Sequence, residues 1–166
     1  MDNVQQERWA LINKACESIL NSVQGTVKDF FEFPQAHPGD DFVVIHQRML
    51  FMTSVERDLS HIYRQARDLR RQVELTLSQL KSDLEDAKME AVGQPTFKSL
   101  TSFDSRPVVD ARLRSMTIEL THTVTQWEQL LKNVLYVQDV VYSHQQDASK
   151  ERRDIDTRMK ILQMQF

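Results

Sequence analysis

The chain has one cysteine, three glycines and four prolines in 166 residues, and each scarcity excludes something. A single thiol, Cys16, closes no disulfide within the chain, which favours a reducing compartment. It sits among Leu11, Ile12, Ala15, Ile19 and Leu20 with no basic neighbour on that face. A small buried hydrophobe is therefore expected rather than a reactive thiol. Three glycines leave little material for phosphate-cradling loops, and no P-loop, dinucleotide fingerprint, zincin or zinc-finger spacing occurs. No run approaches the ~18 apolar residues that span a bilayer, and the first residues lack a basic-then-apolar leader pattern. A cytoplasmic protein without membrane contact, or one incorporated in a particle assembled there, is the expectation. Lys and Arg number 21 against 24 Asp and Glu, a formal net charge of −3. That balance excludes a chain basic enough to coat nucleic acid indiscriminately, while a local basic face is compatible with it.

What is present is helical periodicity. The breakers fall in three clusters: Gly25; Pro34, Pro38 and Gly39; and Gly93, Pro95 and Pro107. Because proline cannot sit in a helix interior without losing a hydrogen bond, these clusters mark segment ends. Residues 1–40 read as an N-terminal helix, with Gly25 as its C-cap, followed by a turn rich in Phe and Pro (Phe30, Phe31, Phe33, Pro34). Residues 41–92 read as one long helix opened by Asp40 and Asp41, which can cap its first turn. Its apolar stripe runs Ile45, Met49, Met52, Val55, Leu59, Ile62, Ala66, Leu69, Val73, Leu77, Leu80, Leu84, Ala87, Ala91, in steps of three and four. Residues 93–107 read as a connector loop carrying Phe97, Leu100 and Phe103. That triad either docks on a partner or folds back over its own scaffold.

Residues 108–166 hold a ladder: Leu113, Leu120, Trp127, Val134, Val141, Ala148, Ile155 and Leu162, seven apart without a miss. A sustained seven-residue repeat keeps one seam of a helix toward a partner helix. Around Val134 to Tyr142 the helix is apolar nearly all round, which calls for more than one neighbour. After Val141 the companions turn polar, with His144, Glu151 and Arg158. The expected fold is all-α: a long antiparallel, coiled-coil-like hairpin with a shorter N-terminal helix, oligomeric through Leu113, Leu120, Trp127, Leu131, Val134, Val137, Val141, Ile155 and Leu162.

Chemistry is harder to find. Glu119-Leu-Thr-His122 has a Glu-x-x-His spacing and Asp58-Leu-Ser-His61 echoes it, but the ladder's register points His122 outward, so no metal and no cofactor are expected. Asp83, Asp86 and Glu90, with Glu85 nearby, read as a solvated face, and no catalytic site is expected. The basic cluster is sharper. Arg57, Arg64 and Arg71 are seven apart, with Arg67 three beyond Arg64, Arg70 adjacent and Tyr63 beside them. From Arg57 to Arg71 five arginines oppose Asp58 and Asp68. Arginine on a helical face suits phosphate, and Tyr63 is placed to stack on an unpaired base. The rival reading pairs these arginines with Glu56, Glu74 or the acidic end of the same helix in a neighbouring chain.

Trp127, Leu130, Leu131, Asp139 and Ser143, with Val140 and Val141 between the last two, resemble the C-terminal helix of phage recombination mediators of the UvsY type. The family's basic Lys-Ala-Arg element is echoed by Gln65-Ala66-Arg67, with Arg64 in place of the lysine. The resemblance covers about seventeen residues of the chain. It implies a small helical protein that forms rings and helps load a recombinase onto single-stranded DNA. The functional expectation is a non-catalytic homo-oligomeric assembly or adaptor protein, its most concrete version a mediator that handles single-stranded DNA. The alternative is a spacer or connector within a larger particle, such as a viral or secretion assembly, where the partners are other proteins.

Overall fold

A computed structural model describes residues 3–32, 41–95, 97–98 and 104–164. Among them no strand occurs, and four helices follow in order: α1 (Asn3–Glu32), α2 (Phe42–Gly93), α3 (Arg106–Met116) and α4 (Ile118–Met164). Phe33, Pro34, Pro38, Gly39, Asp40, Leu100, Phe103 and Phe166 lie outside the described residues.

α1 does not stop at Gly25. It runs on to Glu32, so the expected C-cap is a helix-interior residue, and no glycine adopts a positive φ among the described residues. Glycine costs a helix only about 1 kcal/mol relative to alanine. Val23 beside it is buried, and burying one such side chain contributes about 1.5–3 kcal/mol. A Cβ at Gly25 would meet nothing within 4 Å. Gly25→Ala is therefore expected to raise stability by about 0.5–1 kcal/mol in urea unfolding. The inner stripe of α1 is Ile12, Cys16, Ile19 and Val23, all buried. Burial pushes the Cys16 thiol pKa up, with Glu17 adding to it, which keeps the sulfur protonated and unreactive.

Asp41 opens α2 as the sequence suggests. One of its side-chain oxygens accepts from the Val44 amide at 3.0 Å, satisfying a donor that the first turn leaves orphaned. Phe42 to Ile45, a strand by propensity, is helical here, with the Phe42 and His46 rings stacked one turn apart. The α2 stripe is buried at Ile45, Met52, Val55, Leu59, Ile62, Ala66, Val73, Leu77, Leu80, Leu84 and Ala91. Met49, Leu69 and Ala87 are only half-buried. The place beside Met49 that faces inward belongs to Arg48, which is fully buried.

The C-terminal segment is two helices rather than one, because Thr117 leaves helical angles (φ −112°, ψ 20°). Thr117 is itself buried, so its hydroxyl must find an acceptor inside, and it donates to the Leu113 carbonyl at 2.9 Å. Threonine back-bonding of this kind bends helices. Ser105 occupies the N-cap position of α3 with Pro107 in the first turn, yet its side chain makes no capping bond. Its carbonyl instead accepts from the Val108 and Val109 amides. The 93–107 connector is not a plain loop either: Pro95, Phe97 and Lys98 are helical and Phe97 is buried.

The chain divides into two compact units, Met1–Asn13 with Arg70–Asn133, and Lys14–Leu69 with Val134–Phe166. In the first, α2 meets α4 through the Lys81–Glu128 ion pair at 2.8 Å. In the second, Ile45, Met52, Val55 and Leu59 of α2 form a core with Ala148, Ile155 and Met159 of α4. Along that pair Glu56 meets Arg152, Ser60 meets Gln145 and Tyr63 meets Gln138. The falling α4 numbers show that the two segments run antiparallel there.

Most of the ladder is covered within the chain. Trp127, Val134, Val137, Val141, Ala148 and Ile155 are all buried by the chain's own fold. Leu113, Leu120, Leu131 and Leu162 are half-buried. At the buried positions the repeat needs no second copy, because an antiparallel helix of the same chain satisfies a seven-residue repeat as well as a second chain does.

Candidate nucleic-acid interface

On α2, Val55, Leu59, Ile62 and Ala66 point inward and are buried. The 100° step per residue then turns Arg57 and Arg64 to the opposite side and Arg67 to its flank, and all three are exposed. Their environments differ. Arg57 bonds the Ser54 hydroxyl at 3.3 Å and lies 3.7 Å from Asp58. Arg64 and Arg67 meet no acid among the described residues.

Two of the acids that the sequence offers as counter-charges are not available to Arg64 and Arg67. Glu56 accepts from Arg152 on α4 at 2.5 Å, and that hydrogen bond, with the Glu56 charge behind it, raises the Arg152 pKa. Glu74, in the other unit, accepts from Arg70 at 2.7 Å one turn away. Arg71 belongs to that other unit too and is likewise exposed without an acidic partner among the described residues.

Tyr63 is not free to stack on a base in the way the sequence suggests. It is half-buried, its hydroxyl accepts from the Gln138 amide at 3.0 Å, and its ring rests against Tyr142 at 6.0 Å between centroids. Tyr142 is the exposed member of the pair, at 50%. The tertiary arrangement thus passes the aromatic surface from α2 to α4. In sequence Tyr142 is one residue of a broadly apolar stretch, and nothing local shows that residue 142 lies across from residue 63.

Beside this pair, Glu56, Gln146, Ser149, Arg152, Arg153 and Asp156 line a shallow cavity of about 470 Å³. Two cations and two acids in it cancel, so the excess positive charge stays with Arg64 and Arg67. His61, the supposed metal candidate of α2, hydrogen-bonds Gln65 one turn on. His122 is exposed and lines a cavity with Gln6, Trp9 and Gln126. Among the described residues no three His, Cys, Asp or Glu side chains gather closely enough to hold a metal ion, and no helix is long and apolar enough to cross a membrane. The docking triad of the connector is not assembled on the surface at Phe97, which is buried; Leu100 and Phe103 are outside the described residues.

No family model matches this chain, and neither the curated proteins nor the solved structures contain a match to it.

Proposed function

We propose that the chain is a non-catalytic, self-associating helical assembly protein that holds single-stranded nucleic acid against α2, in the manner of a recombination mediator. The observation that carries this reading is the pair Arg64 and Arg67, exposed one turn apart and left without an acid while their neighbours Glu56 and Glu74 are spent on Arg152 and Arg70. A guanidinium presents a fork of donors that fits phosphate oxygens in two-point contacts. Tyr142 supplies the flat apolar surface on which a base stacks, a contact that tolerates any sequence. The non-catalytic part is supported by where the acids go: Glu85, Glu128 and Asp156 are each tied to a surface lysine.

Arg64→Glu with Arg67→Glu is expected to abolish a gel shift with a thymidine oligonucleotide while leaving the helical circular dichroism unchanged. Neutral replacement of both by alanine is expected to flatten the slope of log affinity against log salt by about 1.4, the share of two phosphate contacts on a single strand. Absence of any shift by the unsubstituted protein at low salt would overturn the reading.

A second reading, a spacer or connector in a larger particle, is favoured by the apolar residues left outside. Val43 and Leu50 on α2 and Ile161 and Met164 on α4 are each more than half exposed. Contiguous exposed apolar surface marks places that other proteins cover, and Val43 and Leu50, seven residues apart, share one face of α2. In that case the arginine substitutions leave assembly untouched, and Leu50→Glu or Ile161→Glu lowers the assembled mass.

A further inference from the structure

A stripe on α2 within the first unit is self-complementary. Arg71, Leu75, Ser78, Ser82 and Asp86 fall at steps of four, three, four and four along α2, so they share one face about 80° wide. They lie opposite Val73, Leu77, Leu80 and Leu84, which are buried. All five are exposed. The stripe has a cation at one end, an anion at the other, a leucine at 63% exposure and two serines between. Neither Arg71 nor Asp86 has an oppositely charged partner among the described residues. Beside the stripe Arg70 is engaged with Glu74, Glu85 with Lys88, and Asp83 with Gln79, while Asp68, one turn before Arg71, is exposed.

We infer that this face docks on the same face of a second copy of the chain, antiparallel, about a twofold axis passing between Ser78 and Gln79. In that register position n of one copy meets position 157 − n of the other, which follows from 71 + 86 = 157. Arg71 then meets Asp86 twice, once at each end. Leu75 meets Ser82, also twice, since 75 + 82 = 157, and the small serine lets the leucine seat between the helices. Reversing one copy end for end sets the cation against the anion at both ends at once, whereas a staggered parallel alignment does so only once. A parallel pairing in register would place Arg71 against Arg71 and Asp86 against Asp86, a like-charge arrangement that disfavours it. Isologous pairing of this kind needs one self-complementary patch and no other surface. The inference rests on the self-association in the proposed function and assigns it a surface.

Exposed ion pairs are individually weak and screened by salt, so the association is expected to be reversible and to loosen as salt rises. Sedimentation equilibrium of the full chain at low salt is expected to show self-association that Arg71→Glu and Asp86→Lys each weaken by about tenfold, since symmetry removes both pairs at once and sets like charges opposite. Arg71→Glu combined with Asp86→Lys restores the pairing with its sign reversed and is expected to recover the unsubstituted mass. Geometry gives a second readout. Gln79 lies beside the twofold, so Gln79→Cys is expected to form a disulfide-linked pair on mild oxidation. Position 85 lies roughly 20 Å along the axis from its copy, so Glu85→Cys is expected not to. Cys16 is buried and does not compete. A multimer whose mass ignores both single substitutions, or equal cross-linking at positions 79 and 85, overturns this face while leaving assembly standing. A one-chain mass for the unsubstituted protein at low salt overturns both.

Discussion

Truncating Glu151 to alanine is expected to cost about 3–5 kcal/mol of unfolding free energy, far more than truncating its partner. Arg48 is fully buried in the core that Ile45, Met52, Val55 and Leu59 build with α4. Its guanidinium bonds a Glu151 carboxylate oxygen through Nε at 2.9 Å and through a terminal nitrogen, and it also lies over the Phe51 ring at 5.5 Å. The two partners are unequally placed: the Arg48 side chain is 1% exposed and that of Glu151 28%. Removing Glu151 leaves a full positive charge inside the unit without its carboxylate, whereas removing Arg48 leaves a carboxylate that water can reach. Arg48→Met should therefore be mild, and Arg48→Met with Glu151→Leu should return to within about 1 kcal/mol of the parent, as buried ion pairs exchanged for apolar packing often do. Urea unfolding at constant m-value measures all three. Equal losses for Glu151→Ala and Arg48→Met would show that the pair does not carry its cost through the buried cation.

Val141→Glu and Tyr142→Glu, one residue apart, are expected to differ by several kcal/mol. Val141 is fully buried and Tyr142 half exposed. A carboxylate at 141 must be desolvated with no counter-charge prepared for it, and such groups cost most of the 5–15 kcal/mol that holds a typical domain together. The expected result is a chain that loses its cooperative thermal transition. The same charge at 142 keeps its water and should shift stability by less than about 1 kcal/mol. The contrast also decides what the ladder is for. If Val141 lay in a seam between copies, its substitution would leave single chains folded, with helical circular dichroism and a cooperative melt intact.

Arg48 also shows where sequence reading stops. A stripe-following eye picks Met49, because an arginine three residues after Ile45 looks like surface. Yet Ile45, Arg48 and Met52 are spaced three and four apart, which is core spacing, and the matching break in the other helix was visible as Glu151 among the polar companions of the ladder. Each irregularity looked like a weakening of its own helix. Only the antiparallel pairing, which brings residue 48 to residue 151, turns two faults into one ion pair. Thr117 is a similar case: nothing in the heptad ladder marks it, and the bend arises because a buried hydroxyl has to donate somewhere.

The candidate site divides in the same way. That Arg57, Arg64 and Arg67 turn away from the inward face follows from spacing alone, since the inward face of α2 is fixed by its apolar residues. That Glu56 is unavailable to them, and that Tyr63 is held while Tyr142 is exposed, follows from contacts 75 to 96 residues apart in sequence.

By itself the sequence determined that this protein is helical, where α2 begins, which of its faces turns inward and where positive charge collects, because these depend on a 3.6-residue period and on capping within one turn. Only the tertiary structure decided that the middle of the seven-residue ladder, from Trp127 to Ile155, is buried within its own chain, that Arg48 has a place in the core, and which arginines are left without an acid. A heptad repeat specifies the shape of a seam but not whose helix fills it, and a charge is free or spent according to neighbours that the linear order does not place.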